Sequence, residues 1–443
     1  MNRPKPINPA RVMVAGFIGV ILTGSLLLSL PAARIAGELS YIDALFTATS
    51  AVCVTGLVVV DTGTFYSFFG QMVIMILIFI GSLGFMTMTI MIFIFLGRKI
   101  TLRDRLLTRE ALNQESLSGM VRLATSVLQI ALLFILSGAS LMAFRFIPQL
   151  GYGRGIFFSL FHAISAFGNA GFDLFGNFDS LTRFPADYLV NGTMMVLFIF
   201  GGLGFTVVID LLRHFRFRSR ISLHSRMVLL ISGVLLFSGT ICIFTFEYSN
   251  PETMGSLNLG AKLFTALFTA ATPRTAGFNV LDTAALGYPT FLLLLVLMFI
   301  GASPASTGGG IKTTTFGVIF LTLMAMIRGR QEPIFMQRRF TLTQIMKAVA
   351  IVSAAVALIF TAIFILTLAE DIEFSALLFE VFSAFGTVGL SRGITAELGT
   401  VSKLVLIITM LGGRVGPLTL MVALVRKQQK DILHYPEEQL LIG

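Results

Sequence analysis

One short segment recurs along the chain, and any fold must accommodate four copies of it. Residues 45 to 57 read LFTATSAVCVTGL, 160 to 172 read LFHAISAFGNAGF, and 378 to 390 read LFEVFSAFGTVGL. Each opens on Leu-Phe, carries Ser-Ala in its middle, and closes on Gly56-Leu57, Gly171-Phe172 or Gly389-Leu390. Residues 267 to 278, LFTAATPRTAGF, fit after a one-residue deletion and close on Gly277-Phe278. The closing glycines stand about 110 residues apart, far beyond the period of a soluble solenoid, so each copy belongs to a small multi-helix unit.

Composition identifies the solvent around those units. Of 443 residues 56% are hydrophobic and 12% charged, with 43 Phe and no Trp, and mean hydropathy is +0.90. A soluble globule is excluded and a bilayer required. The net charge of +10 falls in short clusters between apolar runs, which is the mark of membrane topology rather than of nucleic-acid binding. Cys53 and Cys242 are too few for a disulfide framework or a metal site. No nucleotide fingerprint, Walker loop, zinc cluster or catalytic triad appears, so neither an enzyme nor an organic cofactor is expected.

Around the copies the chain predicts an all-α integral membrane protein. Apolar runs at 12–30, 71–96, 121–146, 188–212, 227–246, 290–327, 343–368 and 401–425 read as eight crossings. The first could be a signal peptide, but equivalent runs precede the other copies, so it reads as a retained helix. Between them 43–53, 157–168, 262–272 and 374–386 are too short to cross and read as re-entrant half-helices. The units are 1–110, 111–220, 221–335 and 336–443, the last with a short tail. Basic residues gather at the N-terminus, at 98–122, 213–226 and 328–347, and after 425, which places both termini in the cytoplasm.

Each short helix is followed by an extended tetrad: Val54-Thr55-Gly56-Leu57, Asn169-Ala170-Gly171-Phe172, Thr275-Ala276-Gly277-Phe278 and Thr387-Val388-Gly389-Leu390. Non-helical backbone at membrane depth must be buried in protein or line water. Four such strands around an axis offer a ring of carbonyl oxygens, which can replace the hydration shell of a potassium ion. Helix C-termini aimed at that ring favour a cation. For any single glycine close helix packing is the favoured reading; four in matched context reverse that and favour the ring.

The third unit interrupts its second helix with Gly301-Ala302-Ser303-Pro304-Ala305-Ser306-Thr307-Gly308-Gly309-Gly310-Ile311-Lys312, a stretch that cannot remain helical. A gate facing a cavity and a simple kink are both readings of such a break. The corresponding Gly81-Ser82-Leu83-Gly84 and Gly201-Gly202-Leu203-Gly204 read first as packing positions. Arg414, in mid-span, is expected to face a water-filled interior, as an electrostatic barrier or as a structural partner. Glu380, within the fourth short helix, either anchors that helix or attracts cations.

Taken together, the tetrads, the broken loop, Gly412-Gly413-Arg414-Val415-Gly416-Pro417 and the ending Leu441-Ile442-Gly443 resemble the superfamily of potassium transporters that includes the KtrB, TrkH and HKT proteins. The resemblance is strongest to the KtrB branch, the membrane subunits of bacterial Ktr uptake systems, and covers essentially the whole chain. It implies four M1-P-M2 pore repeats around a central pore in the bacterial cytoplasmic membrane. Val54, Thr55, Gly56, Asn169, Ala170, Gly171, Thr275, Ala276, Gly277, Thr387, Val388 and Gly389 then form the selectivity filter for K+, and residues 301 to 310 with Lys312 the gate. It further implies a homodimer, a KtrA-like cytosolic ring binding ATP or ADP, and Na+ as an activator. The triple glycine at 308 to 310 replaces a bulkier or polar residue of some relatives. A proton- or sodium-coupled secondary transporter is the alternative, and it calls for acidic residues deep in the spans. Asp210, at a span's end, is the nearest case.

Overall fold

The computed structural model describes residues 9–84 and 120–424, apart from 183, 186 and 331. Four successive groups of helices account for almost all of them. The first is α1 (Pro9–Ser29), α2 (Tyr41–Val52), the single turn α3 (Thr62–Phe65) and α4 (Phe68–Leu83). The second is α5 (Met120–Leu150), α6 (Tyr152–Gly168), α7 (Tyr188–Leu203) and α8 (Phe205–Phe217). Then come α9 (Leu223–Glu247), α10 (Leu259–Ala271), α11 (Tyr288–Phe299) and α12 (Thr313–Ile327), and finally α13 (Leu342–Ala369), α14 (Phe374–Gly386), α15 (Thr400–Val415) and α16 (Pro417–Leu424). A two-residue antiparallel pair, Ile334–Phe335 with Arg338–Arg339, turns the chain between α12 and α13.

Burial is inverted between long and short helices. The long α5, α9 and α13 expose Leu133, Phe144, Phe237, Phe360, Phe364 and Leu368, a belt suited to lipid. The short α2, α6, α10 and α14 sit inside, with Phe46, Phe161, Phe268 and Phe379 almost wholly buried. Each short helix packs on helices of its own group and of the group before: α2 on α4 and α15, α6 on α7 and α4, α14 on α15 and α11. α10 packs on α7. The arrangement therefore closes on itself, and the short helices lie at its centre.

Length and apolar composition mark Ala10–Ser29, Ala124–Leu150, Leu223–Glu247 and Leu342–Ala369 as membrane-crossing among the described residues. The bent pairs α7 with α8 and α15 with α16 raise that number to six. The sequence reading of eight crossings counts two more, one running through residues outside the described set and one divided between α11 and α12.

Two expected spans are corrected by the structure. Residues 188–212 and 401–425 are not straight helices but bend by 102° at Gly204 and by 101° at Gly416. Both glycines have positive φ, 93° and 95°, as does Gly84 at the end of α4 with 81°. Glycine adopts that conformation freely and so stops a helix, and Pro417 removes the next donor. The glycines three residues earlier do pack, Gly81 and Gly201 as expected and Gly413 in the same way. The place of a Cβ on Gly81, Gly201 and Gly413 is filled by the carbonyl oxygens of Val52, Phe167 and Phe385, at the ends of α2, α6 and α14.

In every group the far end of the long helix, or in the first group the short turn Pro31–Ala33 that follows it, is fastened to the cap of α4, α7, α11 or α15. Ser67 donates its N–H to Ala33 O at 3.0 Å, and Arg145 Nε reaches Asp187 Oδ2 at 2.9 Å. Glu247 Oε1 accepts from Gly287 N–H at 3.0 Å, and Glu370 Oε1 from Gly399 N–H at 2.7 Å. The two backbone-capping carboxylates do the work of missing side-chain caps, since Gly287 and Gly399 have none. Glu247 is fully buried and also accepts from Asn250, Thr253 and Thr290. Glu247→Ala, which orphans those donors, should cost on the order of 2–4 kcal/mol. Thermal unfolding in detergent should show a clearly lowered midpoint, with Glu370→Ala, at an exposed bond, costing less.

Candidate functional site

The four closing glycines meet at the centre. The place of a Cβ on Gly56 is taken by Ala170 O and Gly171, that on Gly171 by Gly277 and Ala276 O, that on Gly277 by Val388 O, and that on Gly389 by Thr55 O and Gly56. Each glycine thus touches the next copy, backbone on backbone, and the fourth returns to the first. Their φ values are 90°, 69°, 79° and 94°, a region where any side chain is strained.

Two residues before each glycine stands a second residue of positive φ, which sequence reasoning missed. These are Val54 at 52°, Asn169 at 57°, Thr275 at 76° and Thr387 at 49°. Three are β-branched, for which this conformation is an outlier that costs roughly 1–3 kcal/mol each. The cause is local. In three copies the short helix ends in a paired turn, with Thr55, Ala170 and Val388 N–H bonded to Ser50, Ser165 and Ser383 O at 2.8, 2.8 and 2.9 Å. That motif requires a left-handed residue at its corner. The one-residue deletion tightens the fourth, where Ala276 N–H meets Thr272 O at 2.9 Å.

The same hydroxyl residues also anchor the strands. Ser50 Oγ accepts from Gly56 N–H at 3.0 Å and Ser383 Oγ from Gly389 N–H at 3.1 Å. Ser165 Oγ and Thr272 Oγ1 instead donate to Phe172 O and Phe278 O, both at 2.6 Å. The serine of the repeated segment was visible in the sequence, but its task was not.

Beneath the ring lies the loop from Gly301 to Lys312, between α11 and α12. Its backbone is satisfied by the other groups: Ser303 N–H by Gly202 O at 3.0 Å, Thr307 N–H by Gly201 O at 3.2 Å, and Gly310 N–H by Gly413 O at 3.2 Å. Ala305, with φ 54°, accepts from Phe205 N–H at 2.8 Å. Thr307 Oγ1 donates to Asn169 Oδ1 at 2.9 Å and Gly309 N–H to Thr387 Oγ1 at 3.0 Å, so the loop hangs from the first tetrad residues. Gly308 abuts Thr275, and Gly301 abuts Gly309 and Gly310. Ala302 N–H bonds Gly309 O at 3.2 Å, and Pro304 O fills the space beside Gly204. Ser306 Oγ is buried without a partner.

Two cations flank this loop. Lys312 Nζ donates to Gly308 O at 2.7 Å. Arg414 donates to Thr307 O and to Gly81 O, joining the loop to α4 across the centre. Of the two readings of Arg414, these bonds give footing to the structural partner.

Above the ring opens a vestibule of about 410 Å³, lined by the four glycines and by Asp61, Asp173 and Asp282. Burial pushes the Asp173 carboxyl up to about 7, with Asp61 and Asp179 adding to it. The vestibule is bounded by links between successive groups. Phe178 N–H bonds Asp61 Oδ2 at 2.8 Å, Leu181 N–H bonds Asn279 O at 3.1 Å, and Thr283 Oγ1 bonds Ser391 O. Lys403 and Asp43, 2.7 Å apart, join the last group to the first.

This geometry has known counterparts. The family model of TrkH, a cation transport protein, matches residues 10–435. The chain belongs to that family. It is 44% identical over 436 residues to Ktr system potassium uptake protein B of Bacillus subtilis, covering 98% of this chain and 97% of that one. It is 42% identical to the protein of that name from Vibrio alginolyticus, over 98% and 94% of the two chains. It is 39% identical to the potassium/sodium uptake protein NtpJ of Enterococcus hirae, over 99% and 98%. In fold it matches the crystal structure of the potassium transporter TrkH from Vibrio parahaemolyticus at a TM-score of 0.71, with 20% identity, over 96% of this chain and 87% of that one. Members of this family are cation transporters and not enzymes.

The twelve candidate filter residues, the first three of each tetrad, and the residues of the broken loop thus come together at one place, with Arg414 beside them. The tail ending in Gly443 and the basic residues Arg103 and Arg105 lie outside the described residues. The tight seating of α15 on α14 gives a direct test. Gly413→Ala, whose methyl would overlap Phe385 O, should displace the fourth short helix and lower the unfolding midpoint in detergent. Gly192→Ala, where a Cβ meets nothing, should leave it unchanged or slightly raised.

Proposed function

We propose that the chain is the pore-forming subunit of a bacterial potassium uptake system, built as four M1-P-M2 repeats around one conduction path. The observation that carries this reading is the glycine ring, in which four backbone strands meet without a side chain between them. In each tetrad the sign of φ alternates, positive, negative, positive. Such alternation turns successive N–H groups to one side of the strand and so leaves carbonyl oxygens on the other. Twelve residues then supply oxygens to a dehydrated K+: Val54, Thr55 and Gly56 with their equivalents in the other three copies. The ends of α2, α6, α10 and α14 add partial negative charge below, and Asp61 and Asp282 concentrate cations above.

The loop at 301–312 is the gate in this reading, since it lies under the ring and carries Lys312 beside Arg414. Opening requires its bonds to Asn169, Thr387, Gly201, Gly202 and Gly413 to be exchanged together. Such a change needs a partner that binds the two states differently. The relatives' names denote one component of a Ktr system, which supports a partner subunit for this chain, and in this reading that partner is a KtrA-like cytosolic ring that binds ATP or ADP. The exposed Arg216, Arg218 and Arg220 offer it charge. Assembly as a homodimer, both termini in the cytoplasm, and activation by Na+ complete the proposal; the relative named for potassium and sodium uptake supports a link to Na+ of some kind.

Flux of K+ and Na+ into proteoliposomes tests the ring. Gly56→Ser, Gly171→Ser, Gly277→Ser and Gly389→Ser should each lower K+ preference about tenfold, on the order of 1.4 kcal/mol, in folded protein. Unchanged preference in all four would discard the carbonyl ring. For the gate, deleting residues 303–312 should raise flux several-fold, and Arg414→Ala should raise it as well. A correctly inserted deletion protein with parental flux would leave the loop as a kink.

A further inference from the structure

In the four copies of the repeated segment, the residue two places after the opening Leu is Thr47, His162, Thr269 or Glu380. All four are buried, at 1%, 0%, 6% and 0% exposure. Each stands three residues before the Ser or Thr that anchors its strand, and so on the same face of the short helix, one turn nearer its start. In three copies this residue holds the chain that follows the glycine ring. Tyr66 Oη donates to Thr47 Oγ1 at 3.3 Å. Leu174 N–H donates to His162 Nε2 at 3.2 Å, while Nδ1 pairs with Phe158 O at 2.7 Å. Thr395 Oγ1 donates to Glu380 Oε1.

Glu380 is the costly member of this set. Its Oε2 is buried without a partner, and none of the ion pairs among the described residues reaches it. A carboxyl group in such a place is expensive, and a threonine does the same holding in the first copy. What it holds is also more elaborate. Thr395 Oγ1 bonds Ser391 Oγ at 3.0 Å, Gly393 N–H bonds the same oxygen at 3.0 Å, and Ser391 O accepts from Thr283. Arg392 reaches Ser375 Oγ at 2.7 Å and Ala284 O at 3.1 Å. Ser391, Arg392, Gly393 and Thr395 all line the vestibule.

We infer that Glu380 is a positioning residue for ion discrimination, acting through Thr395 and Ser391 on the strand that carries Gly389. The inference rests on the filter reading given above. Ser383 fixes Gly389 N–H from one turn of α14, and Glu380 fixes the turn after Leu390 from the next. Two clamps on one rigid helix set the height of Gly389 against Gly56 and Gly277. With the upper clamp gone, the lower bond alone lets the fourth strand shift, and carbonyl distances to the ion with it. Neither residue touches the ion.

The test is the K+/Na+ permeability ratio in proteoliposomes, read beside the unfolding midpoint in detergent. Glu380→Ala should lower the ratio about tenfold, the loss expected when a buried acceptor is removed from its donor. Glu380→Gln, which keeps an acceptor for Thr395, should stay within about twofold of the parent, a rescue that mere filling of space does not provide. Thr395→Val removes the same bond from the loop side and should reproduce the loss without altering the short helix. The double variant should be no worse than either single one, because both break one link. Independent, additive losses, or a parental ratio in Glu380→Ala and Thr395→Val, would overturn the inference. Gly389→Ser separates the two readings: if it changes the ratio and these variants do not, the filter stands and the positioning role falls.

Discussion

The structure depends on backbone meeting backbone with nothing in between. At two levels glycine removes the side chain that would hold helices or strands apart. Gly81, Gly201 and Gly413 let α4, α7 and α15 rest on the carbonyl ends of α2, α6 and α14. A few ångströms further on, Gly56, Gly171, Gly277 and Gly389 let four strands close a ring. The first contact fixes how deep each short helix sits, and so where its strand begins. Because the interior is packed without slack, a displacement at the lower level is carried into the upper one.

The second dependence is the accounting of hydrogen bonds in the broken helix. Interrupting a membrane helix between Phe299 and Thr313 frees donors and acceptors that no lipid can satisfy. They are met by Gly201, Gly202 and Gly413, by the side chains of Asn169 and Thr387, and by Arg414. The partners come from the second and fourth groups, with Gly81 of the first joined through Arg414. The loop therefore reports the relative position of the whole assembly.

Much of this was legible in the sequence, for physical reasons that differ by residue. The four closing glycines, the short helices and the interrupted third unit announced themselves through repetition, length and composition. The bends at Gly204 and Gly416 did not, because a glycine that packs and a glycine that stops a helix look alike until φ is known. The left-handed Val54, Thr275 and Thr387 were hidden for the opposite reason. Their residue types disfavour that conformation, and only the turn that ends each short helix imposes it. The serine of the segment was conspicuous, yet whether it accepts from an N–H or donates to a carbonyl differs between copies and is set by the strand facing it. The links at Glu247 and Glu370 join distant positions and have no local signature.

The loop beneath the ring is one where the repeated segments are four, and this bears on how such a protein can be encoded. Four identical chains related by rotation would present four such loops to a space that holds one. The partners would also be identical, whereas here the loop meets Asn169, Thr275 and Thr387, and the first copy carries Val54, with no side-chain hydrogen-bonding group, at the matching position. A single central plug is compatible only with broken symmetry, and broken symmetry in a ring requires subunits that can mutate separately. Joining the four units in one chain is one condition under which a single unit could open its second helix into a loop while the others changed to receive it.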